Sequence, residues 1–121
     1  MLSDSFVQSS AVAWERMGEG VRRQVLGHDP GLMLVSVQFE QGSTGPVHHH
    51  PHRQVSFIVA GRFQVRIGAE TRVLSAGDSF IIPPDMPHGV LALEDGALVD
   101  VFTPPRGDFL TASAGTPPAG R

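Results

Sequence analysis

Gly45-Pro46-Val47-His48-His49-His50-Pro51-His52-Arg53-Gln54-Val55-Ser56-Phe57-Ile58-Val59-Ala60-Gly61 holds four of the six histidines in the chain, then becomes an apolar run that ends on glycine. Its second half, rich in β-branched and aromatic residues and bounded by turn formers, reads as a strand. Residues two apart on a strand share a face. His48, His50, His52 and Gln54 are all even-numbered, so an extended segment presents them together and sets His49 and Arg53 opposite. Imidazoles at that spacing can chelate one divalent transition ion, and imidazole suits Zn, Ni, Fe, Mn or Cu. A tag-like polar loop would be terminal and unbroken. This cluster is internal, interrupted by Pro51 and followed at once by a core-like strand.

Two histidines leave the coordination incomplete. Gln54 offers its amide oxygen on the same face. His88, in the segment Ile82-Pro83-Pro84-Asp85-Met86-Pro87-His88-Gly89, is the remaining histidine in a suitable loop. The expected ligand set is therefore His48, His50, Gln54 and His88, with His52 a neighbour of the metal or of its substrate. His28 sits in the turn Gly27-His28-Asp29-Pro30-Gly31 and reads as solvated. Pro83, Pro84 and Pro87 stiffen the loop that presents His88, and one of their bonds is a candidate cis bond.

Outward from this stretch, short apolar runs alternate with turn residues. Strands are expected at 21–26, 32–40, 54–60, 63–67, 71–74, 79–82, 90–93 and 97–102, with Gly68-Ala69-Glu70 as a hairpin turn and 41–46 as a loop. Residues 13–17 read as a single helical turn. Turn signals recur roughly every ten residues and no helical window is long, which favours an all-β sandwich or barrel. Residues 1–12 read as a flexible arm, 13–110 as one β-barrel domain, and 111–121, composed of Ala, Gly, Pro, Ser and Thr with a final Arg and no apolar pattern, as a disordered tail.

Composition narrows the chemistry. At 121 residues the chain is one domain. With no cysteine it has neither disulfides nor thiolate metal sites. All nine basic residues are arginine, so lysine Schiff-base chemistry is excluded. The net charge is −3 and the densest basic pair is Arg22-Arg23, which speaks against nucleic acid. No apolar run is long enough to span a bilayer, and the first residues lack the pattern of a secretory signal, so a cytoplasmic protein is expected.

The spacing Gly42-x5-His48-x-His50-x3-Gln54-x6-Gly61 resembles the first cupin motif, with Gln where most cupins carry Glu. Gly77-x5-Pro83-x-Asp85-x2-His88 resembles the second, with Asp85 in place of the usual Gly. The resemblance implies a small antiparallel jelly-roll barrel with one metal ion inside, commonly as a homodimer. A second copy could bury the Phe63, Val65 and Ile67 face or the 21–26 strand. Within cupins, His-x-His-Pro-His-x-Gln, Ile-Pro-Pro-x-x-Pro-His-Gly and the segment from Asp100 to Leu110 look like the KdgF-type pectin-degradation cupins, as does Trp14-Glu15 followed by Gly20 to Leu26. Arg53, where such sequences often carry Glu or Gln, departs from the pattern but lies on the opposite face. That resemblance implies ring opening and ketonisation of 4,5-unsaturated monouronates released from pectin and alginate, so the expected partner is a small anionic sugar.

Such chemistry needs a proton shuttle. Asp100 is a lone carboxylate in the apolar run Leu98-Val99-Asp100-Val101-Phe102, and a buried charge there pairs, protonates or works. It is the candidate general acid and base. Phe102 shares its parity and could line a sugar pocket. Arg106, just beyond Pro104-Pro105, could hold a carboxylate with its bidentate fork. Trp14 could cover one end of the barrel, and Asp85, Glu94, Asp95 and Asp108 read as solvated turn formers. Two other functions share the site: a metal-bound module that only binds a small acid or sugar, and an oxygen-dependent enzyme, which needs a redox-active ion.

Overall fold

A computed structural model describes residues 2–112, with side chains through residue 110. Its strands are β1 (Glu15–Gly18), β2 (Val21–His28), β3 (Met33–Phe39), β4 (Thr44–His48), β5 (Arg53–Ala60), β6 (Arg62–Ile67), β7 (Glu70–Ser75), β8 (Ser79–Ile82), β9 (His88–Ala92) and β10 (Gly96–Thr103), followed by the helix α1 (Gly107–Ala112). They form two antiparallel sheets, ordered β1-β2-β3-β10-β5-β8 and β4-β9-β6-β7. The expected all-β jelly-roll architecture is the one observed. Phe39 of the larger sheet meets Phe63 of the smaller edge to face at 5.2 Å, so the core lies between the two inner faces.

Period-two alternation places the core. Met33, Val35, Val37 and Phe39 point inward from β3, and Gln54, Ser56 and Ile58 from β5. β10 runs between these strands and sends Leu98, Asp100 and Phe102 inward. The register makes rungs: Leu98 beside Val37 and Ile58, Asp100 beside Val35 and Ser56, Phe102 beside Met33 and Gln54. Along β5 and β10 the barrel therefore passes from a dry end toward a polar end.

Four local readings change. Residues 15–18 are a strand, not part of a helical turn: Glu15 and Arg16 pair with Arg23 and Arg22 across β2, and sheet pairing outweighs local preference. Part of the expected 41–46 loop is β4, an edge strand of the smaller sheet, where Pro46 is tolerated because no central ladder needs its N–H. Residues 107–112 are helical, so the first two residues of the expected tail belong to α1, and the rest, 113–121, lie outside the described residues. Among the described residues the cis bond is Thr103–Pro104 rather than one in the 83–87 loop.

The segment expected as a flexible arm makes several contacts. The Ser3 amide donates to the His28 carbonyl, and Gln24 Nε2 donates to the carbonyls of Ser9 and Val12. Phe63, Val65 and Val21 are buried inside the single chain, so they are not open to a second copy. Four exposed apolar side chains, Val55, Phe57, Val59 and Ile81, share the outer face of β5 and β8, while Leu2, Phe6, Leu32, Val47 and Val73 are exposed elsewhere. Among the described residues no helix is long and apolar enough to cross a membrane.

Two glycines close the dry end. Gly61 makes the tight β5–β6 turn at φ 85°, a conformation side chains rarely adopt. Gly96 lies so close to its neighbours that an added Cβ would stand 2.6 Å from the Ala60 carbonyl oxygen and 2.9 Å from the Phe63 ring. Gly96→Ala is expected to cost about 1–3 kcal/mol through overpacking. Urea denaturation should show a lower midpoint with an unchanged slope. Unaltered stability would mean that β10 has room to shift at this point.

Candidate metal centre

His48 closes β4, His50 lies in the link to β5, and His88 opens β9. His48 and His88 are cross-strand partners, and a bulge between Gly45 and His48 re-aims the end of β4. The link 49–52 is not extended, so His48 and Gln54 do not share a strand as parity suggested. They belong to different sheets, and the chain crosses the barrel mouth between them. The residues converge all the same. One ring nitrogen from each of His48, His50 and His88 lies within 4.8 Å of the others. His49 and Arg53 face outward.

Hydrogen bonds decide which nitrogen each ring presents. Nδ1 of His48 lies 2.8 Å from the Pro46 carbonyl, Nδ1 of His88 lies 2.8 Å from the Met86 carbonyl, and Nδ1 of His50 lies 3.1 Å from the His52 carbonyl. A carbonyl oxygen only accepts, so each Nδ1 carries the proton and each Nε2 keeps its lone pair in the neutral ring. Burial, reinforced by the nearby Arg106 charge, pushes His50 below the ordinary imidazole range, which keeps it neutral near pH 7.

The Gln54 oxygen, Oε1, stands 3.0 Å from His50 Nε2. With the His50 Nε2 lone pair and the amide oxygen both turned inward, the pair suits a shared cation. Three imidazoles and an amide oxygen with no thiolate are a donor set for a divalent transition ion with room for a further ligand, so the residues present fit one.

The other expected residues gather behind this focus. Phe102 is fully buried, edge to face with His50 at 5.7 Å and with Phe109 at 5.6 Å. Asp100 is also fully buried one rung deeper, where its Oδ1 accepts a 2.6 Å hydrogen bond from Ser56. His52 turns toward the Pro105 backbone, its ring 5.4 Å from that of His50, and burial and then Arg106 push it down as well. Arg106 is buried rather than solvated. Its Nε and Nη2 bind Asp108 at 3.0 and 2.9 Å, while Nη1 has no hydrogen-bond partner among the described residues. Asp108 is thus an arginine partner at the start of α1, not a mere turn former. Asp85, which stands where the resemblance has glycine, adopts φ 62°, a left-handed conformation that aspartate tolerates.

Sequence reading missed Arg23. It is fully buried, 3.5 Å from Glu15, with its guanidinium 3.7 Å from the centre of the Phe109 ring. Arg106 lies 4.4 Å from the same ring centre, so Phe109 contacts two cations. Parity held the signal: Arg23 falls between Val21 and Val25 on the inward face of β2. Trp14 is half-buried under Arg22, 4.2 Å from its ring centre.

His88→Ala is expected to weaken divalent-metal binding by more than about 100-fold, beyond the loss typical of an outer partner. Competition against a chelator reads this, and near-native affinity would remove His88 from the ligand set. Burial opposes ionisation of Asp108, but the paired Arg106 outweighs it and holds the carboxyl below its usual value of 3.8. The unfolded chain therefore takes up a proton first as the pH falls below about 4, and the folded state loses stability there. Asp108→Asn should flatten that acid limb of the stability profile; an unchanged limb would show that the pairing is not what lowers this group.

Comparison with known proteins agrees with this geometry. The cupin-domain family profile matches residues 35–102. The chain is 40% identical over 99 residues to the pectin degradation protein KdgF of Dickeya dadantii (strain 3937), covering 80% of this chain and 90% of that protein. Among solved structures, an RmlC-like cupin from Shewanella frigidimarina NCIMB 400 superposes with a TM-score of 0.87 at 42% identity, covering 89% of this chain and 97% of that one. KdgF from a Halomonas species superposes with a TM-score of 0.83 at 38% identity, covering 87% and 99%. A matched profile that spans the histidine-bearing strands β4 and β9 and the strand β5 between them, and relatives aligned over nearly their whole length, make the chain a member of the cupin family, similar to its KdgF pectin-degradation proteins.

Proposed function

We propose that the chain opens and ketonises 4,5-unsaturated monouronates released from pectin or alginate. The observation that carries the reading is the fully buried Asp100 carboxylate, joined through Ser56 to the Gln54 amide beside three converging imidazoles. The similarity to a pectin-degradation protein over 80% of the chain supports the substrate class.

The substrate is a cyclic hemiacetal whose ring oxygen belongs to an enol ether. Loss of the anomeric hydroxyl proton lets that oxygen form a carbonyl as the ring C–O bond breaks. The electron pair passes to the former ring oxygen, leaving an enolate, which becomes a ketone when the enol carbon takes a proton. One proton leaves and one arrives, so a single group that acts first as base and then as acid returns to its starting state. Asp100 has that role in the proposal. A divalent ion held by His48, His50, His88 and Gln54 would supply Lewis-acid polarisation of a sugar oxygen. The neutral ligand set leaves its charge uncancelled, which favours an anionic sugar. Arg106 offers Nη1 to the uronate carboxylate, and Phe102 forms the apolar wall behind His50 and Arg106.

The test follows the loss of ultraviolet absorbance from the conjugated C=C with metal present. The native chain should exceed the spontaneous rate, and Asp100→Ala should lower kcat by about 10²–10⁴-fold. A native rate no faster than the spontaneous one would overturn the reading. A normal rate in Asp100→Ala would remove this residue from the chemistry. A module that only binds the sugar would show affinity without turnover.

A further inference from the structure

The Gln54 amide can face the imidazoles in two ways, and only one leaves an oxygen there for a cation. Gln54 Nε2 lies 2.9 Å from Ser56 Oγ, and Ser56 Oγ lies 2.6 Å from Asp100 Oδ1. Gln54 is 4% exposed, Ser56 1% and Asp100 0%, so bulk water does not compete for these bonds. A hydroxyl has one proton to donate. When Ser56 gives it to the Asp100 carboxylate, its oxygen accepts from the Gln54 amide N–H. The Gln54 oxygen then faces His50 Nε2 at 3.0 Å. In the reverse arrangement Ser56 donates to the Gln54 oxygen, Asp100 must carry a proton, and the amide NH2 faces the imidazoles, where it repels a cation.

We infer that Ser56 is a positioning residue: its hydroxyl, anchored on Asp100, holds the Gln54 amide with its oxygen toward His48, His50 and His88, and so sets the affinity of the site for a divalent cation. The fold builds the relay. Ser56 and Asp100 are cross-strand partners of β5 and β10, and Gln54 is the next inward position along β5. The inference rests on the metal-centre part of the proposed function and gives Asp100 a second task besides proton transfer.

The test titrates Co2+ into the full chain in competition with a chelator and reads the visible absorption of the bound ion. Ser56→Ala should weaken binding by about 10–100-fold, as expected for an outer partner of a ligand. Gln54→Ala should weaken it as well. Adding Ser56→Ala to Gln54→Ala should change affinity by less than about twofold, because the relay then has nothing to orient. Should the alanine variant not fold, Ser56→Cys carries the same expectation, since a thiol donates and accepts weakly. Native affinity in a folded Ser56 variant would overturn the inference, and so would an equal loss in both backgrounds, which marks a general packing defect. If the native chain binds no Co2+, the metal-centre reading itself falls. That outcome is distinct from a native chain that binds Co2+ no better than its Ser56 variant.

Discussion

Three imidazole-to-carbonyl hydrogen bonds govern the site. Pro46, Met86 and His52 each hold one Nδ1 proton, so three Nε2 lone pairs turn to the same region. The carbonyls come from three separate segments: an edge strand, the proline-rich loop and the link across the barrel mouth. Each ring's tautomer is therefore fixed by backbone, and the backbone is fixed by sheet register. The bulge before His48 and the left-handed residue at Asp85 are the local adjustments that let these segments meet.

The inner face divides its labour by strand. Each rung has an apolar contribution from β3, namely Val37, Val35 and Met33, while β5 contributes Ile58, Ser56 and Gln54 in the same order. Burying a polar group without a partner costs about 1–3 kcal/mol by mutational measures. Here each polar member of β5 bonds to the next, so the column of hydrogen bonds offsets much of that cost. The apolar wall of β3 excludes water from one side of the column, which strengthens the bonds it contains.

Much of this was legible in the chain. Alternation at 54–60, 63–67 and 97–102 identified the strands, and the histidine spacing pointed to the imidazoles that converge at the barrel mouth. The parity argument reached His48, His50 and Gln54 by a route the fold does not follow, since the link at 49–52 is bent and the two ends lie on different sheets. It succeeded because both ends face the same interior. What stayed hidden depended on tertiary pairing. β1 exists because Glu15 and Arg16 meet Arg23 and Arg22, and β4 because an edge tolerates Pro46. The burial of Arg23 and the pairing of Arg106 with Asp108 arise where α1 brings Phe109 to the end of the barrel. Parity marks Arg23 as inward-facing, but no short-range pattern names the Phe109 ring it meets.

The Asp85 amide donates to the His50 carbonyl at 2.7 Å. This bond ties the loop that presents His88 to the link that presents His50, though the two are far apart in sequence. The two motifs are consequently one mechanical part. Transplanting either segment alone into another barrel would carry its histidines but leave behind the clamp that sets their separation. The unit of inheritance for this site is the pair of loops together.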